Sequence, residues 1–207
     1  MRSTRNKIIR AARLLFNENG VANISQRDIC THIAISPGNL TYHFKKRNDI
    51  IETLYFELSE ALQTIFENAN KKEKNLASLL DLTYTINKIL FENRFFMIDF
   101  IYVLRTNKTI EKDYRLLSKT RSNQFTDFIN ELVNDGVMQK AELPNEYDHL
   151  FTRMHVFGDF WIASVRATEK EIMLKHTRNY TEAYMQSIFP YLTATGKTEF
   201  KKLMEYN

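Results

Sequence analysis

A chain of 207 residues with 43% apolar content can bury a real core, which excludes a disordered or fibrous protein. The net charge of +4 is uneven: residues 1–50 hold nine Lys/Arg against three Asp/Glu, and the remainder twenty against twenty-two. A basic head on a slightly acidic body fits a protein whose head alone meets a polyanion.

Five Gly and three Pro leave long apolar-periodic stretches uninterrupted, so the expected class is all-α. The single cysteine, Cys30, excludes an intramolecular disulfide framework, and its place on the apolar side of a helix reads as a small buried hydrophobe. The start, Met1 to Lys7, is charged and lacks an apolar signal core. The longest apolar run, 95–104, contains Asp99 and is half of the ~20 residues a membrane span requires. A cytoplasmic protein with no membrane partner is expected.

The first helix is expected over 4–19, with Ile8, Ala12, Leu15 and Phe16 as its apolar stripe and Gly20 to end it. The second starts at Ser25, whose hydroxyl can cap free amides while Asp28 suits the positive helix end. The third opens at Ser36 with Pro37 in the first turn; Leu40 and Phe44 hold it to the core, so Asn39, Thr41, Tyr42 and His43 point partly outward. A basic run, Lys45-Lys46-Arg47, follows. Two short helices across a tight turn, then positive charge, is how a chain places one helix in the DNA major groove. The fourth helix carries Ile50, Ile51, Leu54, Leu58, Leu62 and Ile65, a stripe longer than a three-helix head needs, and the best boundary is Asn70 to Asn75.

The expected organisation is therefore a helix-turn-helix head at 1–47, a connecting helix at 48–70 and a helical body at 71–207. Five body helices are expected at 76–92, 95–106, 109–135, 146–167 and 170–192, with a last amphipathic piece from Glu199 to Tyr206.

The pattern Ile9 to Phe16, then Gly20, Arg27-Asp28-Ile29 and Gly38 to Arg47, resembles the DNA-binding domain of the tetracycline-repressor (TetR-like) family of bacterial regulators over residues 5–60. Two positions depart from that family's pattern: Ala34 stands where glycine is usual in the turn, and tyrosine falls at Tyr42, with Thr41 at the family's tyrosine position. A left-handed alanine costs ~1–2 kcal/mol, so the turn is expected to form, and it need not be left-handed. The resemblance implies that Pro37 to His43, Gly38 included, enter the groove. Asn39 there suits a two-pronged contact to adenine, Thr41 a thymine methyl or phosphate, and His43 a base or backbone atom. Tyr42, Lys46 and Arg47 suit phosphate, as do Ser25, Gln26 and Arg27 at the start of the second helix.

The resemblance also implies a homodimer on a palindromic operator, paired through the helices near 146–167 and 170–192. Phe151, Met154, Phe157, Phe160, Trp161, Ile172, Tyr180, Tyr184, Ile188 and Phe189 supply large apolar side chains there. It implies a pocket for a small apolar or aromatic effector, for which Tyr84, Phe95, Phe96, Asp99, Phe100, Phe125, His155 and Asp159 are the candidates. The expected function is a ligand-responsive repressor, with no enzyme activity, cofactor or metal. Two other readings compete with it. A helical di-metal enzyme finds one Glu146-x-x-His149 half-motif but no second copy, and zinc through His155 and Asp159 lacks further ligands. A bundle binding a lipid or protein without DNA explains the aromatic body but not the basic head.

Overall fold

The computed structural model describes residues 4–205; Tyr206, the end of the expected last piece, lies outside them. Among the described residues the chain is helical apart from one isolated antiparallel bridge, Met138 to Leu192. No described helix is long and apolar enough to cross a membrane.

The head is α1 (Thr4–Asn19), α2 (Gln26–His32) and α3 (Pro37–His43). Local chemistry sets each boundary. Gly20 leaves α1 at φ +82°, and its N–H donates to the Phe16 carbonyl, the left-handed exit that glycine tolerates best. Ser25 and Asp28 form a reciprocal capping box on α2, and the Ser25 hydroxyl and N–H, both donating to the Asp28 carboxylate, hold it below its ordinary value. Ser36 caps α3 through the Asn39 N–H, with Pro37 in the first turn. Between α2 and α3, Ala34 sits at φ +54°, so the turn is left-handed after all, at the ~1–2 kcal/mol strain of a residue with a Cβ. Ile8, Ala12, Phe16, Val21, Ile29 and Leu40 close a dry core, and Cys30 is buried among them, its thiol pushed up by desolvation.

α4 (Arg47–Ala69) runs from the head into the body. The body comprises α5 (Leu76–Glu92), α6 (Arg94–Ile98), α7 (Phe100–Thr106), α8 (Lys108–Asn134), α9 (Glu146–Thr168), α10 (Leu174–Gln186) and α11 (Ala194–Leu203). The expected single helix at 95–106 is broken at Asp99, whose side chain leaves the helix direction to accept from the Val21 N–H of the head. The expected 170–192 helix is shorter at both ends. His176 Nδ1 caps the Met173 N–H at its start, and Pro190 permits only the 3-10 turn Phe189–Tyr191 beyond its end. The last helix begins earlier than expected, capped by Thr193. Its Gly196 lies so close to the segment that follows α8 that a Cβ would fall 2.1 Å from the Val137 carbonyl oxygen.

Two cores result. One is continuous from the head through α4, α6 and α7 to Trp161, Ile162 and Val165 of α9. The other gathers Leu76, Ile129, Leu132, Met154, Met185 and Phe200 at the far end. The head is therefore packed on the body rather than tethered to it.

Candidate nucleic-acid interface and internal cavity

On α3, Leu40 and the following Phe44 are buried, while Pro37, Gly38, Asn39, Thr41 and Tyr42 are exposed and His43 is half-buried. Tyr42 is 85% exposed and meets His43 edge-on, with ring centroids 5.1 Å apart. The Asn39 amide and Tyr42 hydroxyl make no hydrogen bond to any described residue, and Lys45 and Lys46 pair with no described acid. Thr41 donates its hydroxyl to the Pro37 carbonyl at 2.8 Å, which spends its proton and leaves the oxygen able only to accept. Ser25 and Arg27 are exposed at the start of α2. The face is polar and aromatic, with basic groups at its border and a rigid apolar back.

Beyond Ser25, whose hydroxyl donates to Asp28, two of the groups expected at phosphate have partners within the protomer. The Arg47 guanidinium donates to the Val21 and Ile24 carbonyls, both at 3.0 Å, and to the Tyr102 hydroxyl at 2.9 Å. Gln26 donates to the Phe44 carbonyl at 3.0 Å and ties α2 to the end of α3. Their side-chain donors brace the head, because each lies beside carbonyls that the helices leave unpaired.

The body holds a cavity of about 170 Å³, partly open to solvent, between α4, α5, α6, α8, α9 and α10. Its walls are mainly apolar, including Leu62, Phe66, Ile86, Phe96, Phe125 and Met154. Its polar side is a chain of hydrogen bonds. Tyr114 donates to Asp159, Asp159 lies 3.5 Å from His155 Nε2, and that nitrogen is 3.2 Å from the Ser118 hydroxyl. Nearby Tyr55 donates to Asp113 at 2.8 Å. Burial pushes the Asp159 carboxyl above its ordinary value, against the opposing pull of the Tyr114 bond and the charges of His155 and Arg121. Desolvation and the facing carboxylates raise the Tyr55 and Tyr114 phenols far beyond their usual range, and burial alone takes Tyr184 to about 12.

Two family models match this chain: bacterial regulatory proteins of the tetR family over residues 8–54, and bacterial transcriptional repressors of the TetR type over residues 57–200. The chain belongs to the tetR family. As a member it is a DNA-binding transcriptional regulator with an N-terminal helix-turn-helix and a helical C-terminal domain. It is 26% identical over 153 residues to the HTH-type transcriptional regulator UidR of Escherichia coli K12, covering 72% of this chain and 74% of that one. Among solved structures, a TetR-family regulator of Marinobacter aquaeolei VT8 superposes with a TM-score of 0.87 at 23% identity, covering 99% of each chain. The ketosteroid regulator KstR2 of Mycobacterium tuberculosis gives 0.72 at 16% identity, covering 93% of this chain and 97% of that one.

Of the residues expected around an effector, Phe96, Phe125, His155 and Asp159 line the cavity of this TetR-family body. Tyr84, Phe95, Asp99 and Phe100 do not. Phe95 is fully buried against Phe16 of α1, with ring centroids 5.9 Å apart, and Asp99 holds the head. Phe100 packs edge-on against Tyr114 and Phe160, behind the cavity wall. Of the expected dimer residues, Met154, Trp161 and Ile188 are buried within the protomer, and Tyr180 stacks on Trp161 at 4.9 Å. Glu146 caps its own turn by accepting from Glu142 and Leu143. No group of three or more His, Cys, Asp or Glu that could hold a metal occurs among the described residues.

Sequence reasoning missed Tyr55, Tyr114 and Arg121 as cavity residues. The available signal was on α8, where Tyr114, Leu117, Arg121, Phe125 and Phe128 share one face and the arginine interrupts an otherwise apolar stripe.

Proposed function

We propose that this chain is a repressor that binds a palindromic operator as a homodimer and is released when a small apolar or aromatic molecule enters the body cavity. The observation that carries the reading is the α3 face: free polar and aromatic groups held rigidly by buried Leu40 and Phe44, with unpaired Lys45 and Lys46 beside them. Asn39, Thr41 and His43 then meet base edges from the major groove. Tyr42, Lys46 and the α2 start at Ser25 and Arg27 meet phosphate. Head 1–47, connector 48–70 and body 71–207 divide these tasks. Cytoplasmic DNA is the target.

The route from cavity to head runs through α6. Phe96 and Met97 line the cavity while their neighbour Phe95 packs on Phe16 of α1. Asn17 of α1 clasps the same segment, donating to the Glu92 carbonyl and accepting from the Phe95 N–H, both at 2.9 Å. A ligand that favours a shifted α6 thereby favours a shifted head. Moving the population from 99% to 1% competent needs about 10⁴-fold preference for the released state.

Fluorescence anisotropy on the DNA upstream of the coding sequence, over a salt series, tests the reading. Asn39→Ala and His43→Ala are expected to weaken operator binding by about 1–3 kcal/mol each, relaxing sequence preference. Lys46→Ala is expected to weaken all sequences alike and flatten the salt slope. Arg47→Met leaves two carbonyls unpaired and is expected to lower the melting temperature without altering the slope. Salt-independent or absent DNA binding favours a bundle that binds a lipid or protein instead.

A further inference from the structure

Arg121 is the one arginine or lysine among the described lining residues; its charge reaches Asp159, but no described carboxylate lies within ion-pair distance of it. Its guanidinium lies between two aromatic faces, 6.0 Å from the Phe66 ring centroid and 5.9 Å from that of Tyr114. It makes no hydrogen bond to any described residue, although guanidinium carries five N–H donors. The tyrosine hydroxyls beside it are already engaged. Tyr114 and Tyr55 spend their hydroxyl protons on Asp159 and Asp113, and Asp159 has His155 as a second neighbour. Burial also moves Asp159 toward its neutral form, so it is a poor anchor for a cation. The cavity thus offers an apolar room with one preorganised, unspent cationic fork.

Given the effector-site reading of this cavity, on which the inference rests, we propose that it accepts a small aromatic carboxylate whose anionic end is held by Arg121. Planar guanidinium matches a carboxylate through paired N–H donors, and a low-dielectric surround strengthens that bond. Phe66 and Tyr114 fix the guanidinium plane beforehand, which lowers the entropy cost of the contact. Size narrows the class. A dry cavity of about 150 Å³ holds benzene, so a cavity of about 170 Å³ suits one ring with a short acidic end. Phe125 and Phe151, packed together at 5.4 Å in the cavity wall, supply an aromatic surface for such a ring.

Isothermal titration of the full chain with benzoate, benzamide and benzylamine compares one ring bearing an anionic, a neutral and a cationic end. Benzoate is expected to bind about tenfold or more tightly than benzamide, the factor of one charge-assisted hydrogen bond, with benzylamine weakest. Arg121→Gln is expected to bring benzoate down to the benzamide level and leave benzamide unchanged, while Arg121→Lys retains part of the preference. The wild-type ranking alone tests the assignment should a variant fold poorly. Equal binding of acid and amide, tightest binding by benzylamine, a preference for benzoate that survives Arg121→Gln, or no binding by any of the three overturns it. A filled cavity, Gly158→Trp, separates the two readings. If acid and amide bind alike and both are lost on filling, the cavity remains the effector site and only the carboxylate falls. If binding survives filling, the cavity reading falls with it.

Discussion

Gly38 shows how a single residue can be unexplained by the free protein. It lies in the first turn of an exposed helix, without a positive φ, and a Cβ there would meet nothing within 4 Å. Glycine inside a helix costs roughly 0.5–1 kcal/mol relative to alanine, and no packing in the protomer offsets that cost. Its neighbours on the same face are the groups proposed to meet DNA, so the vacant volume is best used by a duplex. Gly38→Ala is therefore expected to raise the melting temperature and to weaken operator binding, read by thermal melts and anisotropy on the same preparation. Asp159 presents the opposite balance, a charge held where water is scarce. Its folded pKa is raised by burial, so the folded chain binds the proton more tightly than the unfolded one. The stability it contributes is complete below the unfolded value and is lost as pH rises through the folded value. Asp159→Asn keeps an acceptor for Tyr114 and removes that loss. The variant is expected to melt higher than the wild type at neutral pH, with the difference closing below about pH 4.

At the scale of elements, α6 and its flanks decide whether head and body act together. Val21 donates to Asp99, Asn17 spans the α5–α6 junction, and Arg47 joins the head to Tyr102 of α7. Asp99→Ala leaves the Val21 N–H without its acceptor. Hydrogen exchange is expected to speed at Val21 and along α6 while α3, held by Leu40 and Phe44, stays protected. Unchanged protection on both would show that the junction is held by the Phe16–Phe95 packing alone. The contrast with the helices is instructive. Ser25, Ser36, Pro37 and Gly20 carry their boundaries in their own chemistry, so α1 to α3 and the exposed face of α3 were legible from local sequence. The body was legible as helices and a mainly aromatic interior, because periodicity reports which face is apolar. It does not report which neighbour that face meets. Phe95 and Phe96 are adjacent and chemically alike, yet one packs on the head and the other lines the cavity. Arg47 continues a basic run that reads as phosphate-binding, and only the approach of two carbonyls more than twenty residues away gives its donors another use. Ala34 stands where the family usually has glycine, and the sequence left its handedness open; its φ of +54° is the glycine-like conformation.

At the scale of the molecule, α9 has two working sides. Met154, His155, Gly158 and Asp159 face the cavity. The other side carries Thr152, Val156 and Phe160 at successive turns and Ala167 two turns further on, with Val156 54% and Phe160 39% exposed. Other exposed apolar side chains, such as Leu14, Leu116 and Leu143, lie on separate elements. Past the exposed Leu174 in its first turn, the exposed face of α10 is polar, with Lys175, Arg178, Asn179 and Glu182, because its aromatic residues turn inward onto Phe157 and Trp161. We therefore expect the α9 stripe to centre the dimer, with α10 forming its polar rim. A palindrome is read only if two α3 helices stand about 34–36 Å apart, one turn of DNA, and that spacing depends on how the protomers pair. Val156→Glu places a charge at the centre of the stripe without touching the protomer core. Sedimentation is expected to show a folded monomer, and operator affinity is expected to drop to that of an isolated half-site. Should Val156→Glu remain dimeric while Glu182→Arg separates the chains, the pairing surface lies on α10. The spacing of the heads would then be set by the helix that carries Tyr184 into the cavity, and the effector would act on the interface directly.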